Sequence, residues 1–175
     1  MATPDRLPNV TLRDAEILPG SWRNFAGEKG TYNAEGKRTF HVKLPEQVAL
    51  QMQRDGFPIK ELPPRDGDDG GEMAYRVEVE VSYKNRPPAI WLISGGHRTL
   101  LDEGSVSILD YSAIAKADIM INPYQWKLDT GKSGTKAYLH KMFVTLKEDE
   151  LDLEYNDIPV SGTQPTFHDS EEEPF

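Results

Sequence analysis

The chain has 175 residues, carries 20 Lys and Arg against 29 Asp and Glu for a net charge of −9, and contains no cysteine. That length suits one globular domain with a tail, and the missing cysteines exclude disulfides and thiolate-ligated zinc. No apolar run approaches the roughly 20 residues that span a bilayer, the start MATPDRLPNV lacks an apolar signal core, and His41, His97, His140 and His168 stand at no metal-ligand spacing. The expectation is a soluble protein without metal or cofactor. The charge is unevenly placed. Residues 148–175 hold ten acids and no Lys or Arg, so the other 147 residues hold all 20 basic residues against the remaining 19 acidic ones. A near-neutral body with an acidic end is polarised, and its overall charge does not exclude a nucleic-acid ligand.

Taken in order, residues 1–8 read as a loose lead-in and 10–18 as a first strand. A turn at Asn33-Ala-Glu-Gly36 precedes residues 38–44, where Phe40, Val42 and Leu44 alternate with Thr39, His41 and Lys43. Strict period two means one buried and one wet face. Pro45-Glu46 opens a helix to Asp55, stopped by Gly56, and residues 63–72 form a charged, Gly-rich loop. Residues 73–84 give the longest alternation, with Met73, Tyr75, Val77, Val79, Val81 and Tyr83 on one face. Beyond the turn Asn85-Arg-Pro-Pro88 come a strand over 89–94, the turn pair Gly95-Gly96, a second short helix over 103–109, a strand over 119–122, a turn at 131–134 and a last strand over 135–146. Short strands with one or two short helices predict a mainly β fold, an OB-fold-like small β-barrel with a β-sandwich as the rival. The barrel domain is expected over residues 1–158. Residues 159–175 are proline-bearing, acidic and without apolar period, and so are expected to be a disordered tail.

Catalytic motifs fail on inspection. Gly131-Lys-Ser resembles the end of a phosphate-binding loop, but Trp126 stands where that motif needs its first glycine. Ser94-Gly-Gly-His97 lacks the G-x-S-x-G frame. Asp66, Asp68 and Asp69 lack the downstream ligands of a calcium loop. No enzyme is expected.

Three segments interleave aromatic and basic residues. The first holds Trp22, Arg23 and Phe25, then Lys37 and Arg38. The second runs from Tyr83, Lys84 and Arg86 through Trp91 to Arg98, with no acid between positions 81 and 98. The third holds Tyr124, Trp126, Lys127, Lys132, Lys136 and Tyr138. Single-stranded nucleic acid is bound by this combination, cations following phosphates while flat rings stack on unpaired bases. Aromatic residues in strands are more often core, and alternation buries Phe40 and Tyr75 and leaves Trp91 open to either reading. Tyr124 and Trp126 share one face and flank a basic turn, and Tyr138 shares its face with Lys136 and His140. The expected DNA-contact set is therefore Trp22, Arg23, Phe25, Lys37, Arg38, Lys84, Arg86, Tyr124, Trp126, Lys127, Lys132, Lys136 and Tyr138.

The chain ends in Asp169-Ser-Glu-Glu-Glu-Pro-Phe175. This tip resembles that of bacterial single-stranded DNA-binding proteins, with Glu173 where an apolar residue often stands. Its physical logic is a terminal phenyl ring for an apolar pocket, with acids steering it to a positive rim. The resemblance implies partner binding by Asp169, Glu171, Glu172, Glu173, Pro174 and Phe175. In the body, Trp22-Arg-Asn-Phe-Ala-Gly27, Tyr32-Asn-x-Glu-Gly-x-Arg38, Asp55-Gly-Phe with Ile59-Lys60, Tyr83-Lys-x-Arg-Pro-Pro88, Asn122-Pro-Tyr-Gln-Trp126 and Gly131-Lys-Ser-Gly-x-Lys-Ala-Tyr138 resemble segments of phage-encoded single-stranded DNA-binding proteins. That resemblance implies an OB-like barrel that coats single strands during phage replication or recombination, in the cytoplasm of the infected host, and recruits replication, recombination or repair proteins by its tip. A homo-oligomer is compatible with it. The alternatives are an acidic DNA-mimic or interaction module, or a phage assembly protein, with no DNA binding of its own.

Overall fold

A computed structural model of the chain describes residues 7–31, 33–62, 74–84 and 86–148. The expected loop at 63–72, the tail from 159 onward and the six tip residues lie outside the described residues. Among the described residues nine strands form one sheet: β1 (Val10–Ile17), β2 (Arg23–Asn24), β3 (Arg38–Leu44), β4 (Lys60–Leu62), β5 (Ala74–Val81), β6 (Ala89–Ser94), β7 (His97–Leu101), β8 (Ile114–Lys127) and β9 (Ser133–Leu146). The helix α1 (Glu46–Arg54) lies between β3 and β4, and 3-10 turns occupy Gly20–Trp22 and Val106–Asp110. Among the described residues no helix is long and apolar enough to cross a membrane.

Alternation sets the faces. In β3, Phe40, Val42 and Leu44 are buried, and in β5, Val77, Val79 and Val81 are. The two strands pair antiparallel in full register from Arg38↔Val81 to Leu44↔Tyr75. In β8 the inward set is Ala117, Ile119 and Ile121, and in β9 it is Ala137, Leu139, Met142 and Val144. The change from odd to even positions in β9 follows a bulge, where the register shifts between Met120 and Ile121. A bulge of this kind bends the strand and strengthens its twist, as closing a small sheet requires.

The sheet closes on itself. The strands β1, β3, β5, β9 and β8 follow one another around a ring: β1 pairs β3, β3 pairs β5, β5 pairs β9, β9 pairs β8 and β8 returns to β1. Four of these contacts are antiparallel, whereas β5 meets β9 in parallel at a single bridge, Glu80↔Tyr138. The ring decides against the sandwich: the fold is mainly β, with an OB-like ring whose β5–β9 seam is barely stitched. The β6–β7 hairpin extends β9 outside the ring.

Some elements depart from expectation. The strand over 119–122 runs for 14 residues, because β9 offers it a partner along its whole length. The second helix is a 3-10 turn displaced to Val106–Asp110, a short form suited to so brief an apolar run. Strand β7 has no alternation, and only Leu101 of its residues is buried; it exists because Gly95 and Gly96, at φ +59° and +78°, fold it back on β6 in the turn geometry that hairpins favour.

Candidate nucleic-acid interface

Three aromatic–cation groups stand on the outward face of this sheet. The first lies beside the seam. Outward residues of β8 and β9 pair as Asn122↔Tyr138, Tyr124↔Lys136 and Trp126↔Gly134. Tyr124 is 55% exposed and meets Tyr138 edge to face, with ring centroids 6.0 Å apart. Lys136 Nζ lies 5.2 Å from the Tyr138 ring centroid and 2.7 Å from Glu80 Oε1 across the seam. The hydrogen bond to Glu80 leads the causes that hold the Lys136 ammonium above its ordinary pKa. Trp126 rests on Gly134, where a Cβ would come within 2.7 Å of Trp126 Cζ2; the ring has its place only because that position lacks a side chain.

Beyond these rings the β8–β9 hairpin turns through Leu128–Lys132. The Leu128 N–H donates to the Lys132 carbonyl at 2.7 Å and Gly131 turns at φ +95°. Lys127, Leu128 and Lys132 are exposed at this tip. A strand follows Gly131-Lys-Ser, not a helix, so a phosphate-binding loop is excluded.

The second group covers β3 and β5. The Trp22 ring stands edge-on to His41 at 5.0 Å, and the Arg76 guanidinium lies 4.5 Å over Trp22. Arg76 Nη1 is 3.1 Å from His41 Nδ1. An arginine can only donate, so Nδ1 accepts and the imidazole is neutral. Burial pushes the His41 pKa down, opposed by Glu78 and helped by Arg76 and Lys60.

The third group is Trp91 of β6 stacked on Phe143 of β9, with centroids 6.4 Å apart and planes within 9°, capped by Arg98 at 4.5 Å from the Trp91 centroid. Ile90, Met142 and Val144 are buried on the opposite face, so both rings point out.

Two expected contact residues are corrected. Phe25 is fully buried and stacks on Phe40 at 4.9 Å; its ring is core. Arg23 directs its guanidinium to the carbonyls of Leu18 at 3.0 Å, Leu109 at 3.1 Å, Ser112 at 2.9 Å and Ile17 at 3.5 Å. It is a clamp between the β1 end and the Val106–Asp110 turn. Arg38 is also engaged: Nε donates to the Phe25 carbonyl at 2.9 Å, Nη1 is 3.3 Å from Glu103 Oε2, and only 16% of the side chain is exposed. Lys37, Lys84 and Arg86 are exposed on loops. His41, Arg76 and Phe143 belong to the aromatic–cation groups yet stand outside the expected set, as do Trp91 and Arg98. Their signal is cross-strand pairing, which a single strand's pattern does not reveal.

Residues 2–173 match the model of the family described as "Putative phage ssDNA-binding domain". The chain belongs to that family. Among solved structures, the chain is similar to the single-stranded DNA-binding protein from bacteriophage Enc34 in complex with ssDNA, at 12% identity over 81% of this chain and 88% of that one, with a TM-score of 0.49. It is also similar to gp2.5, a single-stranded DNA-binding protein encoded by bacteriophage T7, at 10% identity over 91% and 98% of the two chains, with a TM-score of 0.41. No curated protein matches this chain.

Proposed function

We propose that this member of the phage ssDNA-binding domain family binds single-stranded DNA with little regard to sequence, and coats it during phage replication or recombination in the cytoplasm of the infected host. The observation that supports this reading is the Tyr124–Tyr138 pair beside Lys136, an exposed ring meeting a half-buried one next to a cation on the β8–β9 hairpin. Stacking on such rings contributes about 1–3 kcal/mol per base and is indifferent to base identity. Trp22 with Arg76 and Trp91 with Phe143 extend the same chemistry along the outward face, and Lys127 and Lys132 offer charge for phosphates at the hairpin tip. The acidic tip, Asp169 to Phe175, is assigned to recruitment of replication, recombination or repair proteins on the sequence resemblance alone.

Titrating the protein with dT oligonucleotides and following tryptophan fluorescence tests this at two salt concentrations. Trp22 and Trp91 are in outward ring contacts and Trp126 lies over Gly134 beside the Tyr124–Tyr138 pair, so quenching is expected. The logarithm of affinity is expected to fall with the logarithm of salt by roughly 0.7 per phosphate neutralised, and duplex DNA to bind more weakly. Absence of binding at low salt would overturn the proposal. Removing residues 160–175 is expected to keep or raise DNA affinity while ending partner recruitment.

A further inference from the structure

We propose that Glu80 holds Lys136 in reserve and hands it to a DNA phosphate when a strand crosses the β5–β9 seam, so that Glu80 sets the affinity from within the site without touching DNA favourably. This rests on the reading of the outward face as the single-strand interface.

Three observations carry it. Glu80 and Tyr138 form the single bridge between β5 and β9, so the carboxylate stands at the joint of the ring, on the outward face with the rings. The Lys136–Glu80 ion pair is short, 2.7 Å, yet unequal in exposure: 43% of the Lys136 side chain is open and only 20% of the Glu80 side chain. The lysine is the partner open to an incoming strand and the glutamate the enclosed one. Lys136 is also cross-strand from Tyr124 and over Tyr138, so a base lying on either ring brings its phosphate within reach of the ammonium, which then exchanges one anion for another. An acid in a face that receives polyphosphate opposes binding unless it serves another end. Here that end is to close the weak seam in the free protein, where backbone pairing is down to one bridge.

The exchange makes two distinct demands on salt dependence. If Lys136 leaves Glu80 for a phosphate, wild type already counts that contact. E80Q is then expected to bind dT oligonucleotide more tightly by up to about fivefold, the range of a partly exposed ion pair, with an unchanged salt slope. K136Q is expected to lose roughly 0.7 from the slope. A slope that steepens in E80Q would mean that Lys136 stays on Glu80 in the complex, and E80Q binding no tighter than wild type would mean that the pair does not oppose DNA; either overturns the handover. A wild-type slope in K136Q overturns it as well. Thermal melting shows whether E80Q folds, and if it does not, the slope of K136Q, altered at an exposed side chain, still decides. Failure of wild type itself to bind would overturn the single-strand reading instead, so the two are told apart.

Discussion

The Thr135 hydroxyl donates to the Asp55 carbonyl at 2.7 Å, across 80 residues of sequence. The adjoining Thr135 N–H donates to the Gly56 carbonyl at 3.0 Å. The end of α1 therefore brackets the start of β9, and with it the hairpin that carries Tyr124, Trp126, Lys136 and Tyr138. The bracket needs a glycine: Gly56 sits at φ +94°, and a Cβ there would stand 2.8 Å from Thr135 Oγ1.

Gly56→Ala is accordingly expected to destabilise the fold by about 1–3 kcal/mol through backbone strain and the displaced hydroxyl, and to weaken single-strand binding as the hairpin loses its anchor. Thermal melting and the dT titration read the two effects. Unchanged affinity in the folded variant would show that the bracket does not position the rings.

Gly134→Ala separates ring placement from stability. The added methyl meets the edge of the Trp126 indole at 2.7 Å, and an indole at the end of a side chain gives way more easily than backbone. The expected result is a melting temperature near that of wild type, a shifted tryptophan emission and a severalfold loss of dT affinity, within the range of one stacking contact. A large fall in melting temperature with unaltered emission would contradict it.

The strands were legible because alternation is a local signal: residues 38–44 and 89–94 coincide with β3 and β6, and the helix from Pro45 to Asp55 differs from α1 only at its ends. Ring closure was not legible, since Glu80 and Tyr138 lie 58 positions apart and nothing in either strand names its partner. The same limit divides the candidate residues. Tyr124, Trp126, Lys136 and Tyr138 were found together because they face one another across a single hairpin, where spacing alone fixes the pairing. Phe25 was misread because β2 has only two residues, too few to show which face is inward. The clamp made by Arg23 is not legible because two of its carbonyl partners, at Leu109 and Ser112, lie more than 80 residues away. Residues assembled from distant strands, such as Trp22 with His41 and Arg76, become a group only in the fold.

Arg23 is expected to act on stability and not on DNA. Replacing it with methionine leaves a part-buried set of carbonyls at Leu18, Leu109 and Ser112 without their donors, costing about 2–4 kcal/mol. Melting should show that loss, while dT affinity measured well below the melting temperature stays at the wild-type value. A drop in affinity with a lower salt slope would return Arg23 to the contact surface.

His41 gives the fold a defined pH response. Its pKa is lowered from 6.5, chiefly by burial, so the unfolded chain takes up its proton first as the pH falls. The stability contributed by the neutral imidazole is thus complete above about pH 6.5 and is lost as the pH drops from there through the lowered folded value. Charging the ring also removes the acceptor for Arg76 Nη1 and sets two cations side by side, with Lys60 adding to the repulsion and Glu78 relieving part of it, so Arg76 is expected to leave the face of Trp22. Melting wild type and His41→Gln at pH 7.5 and 5.5 tests this: the fall in melting temperature should be smaller in the variant, and only wild type should show a change in Trp22 emission over that interval. Equal falls in the two proteins would place the acid sensitivity in other groups.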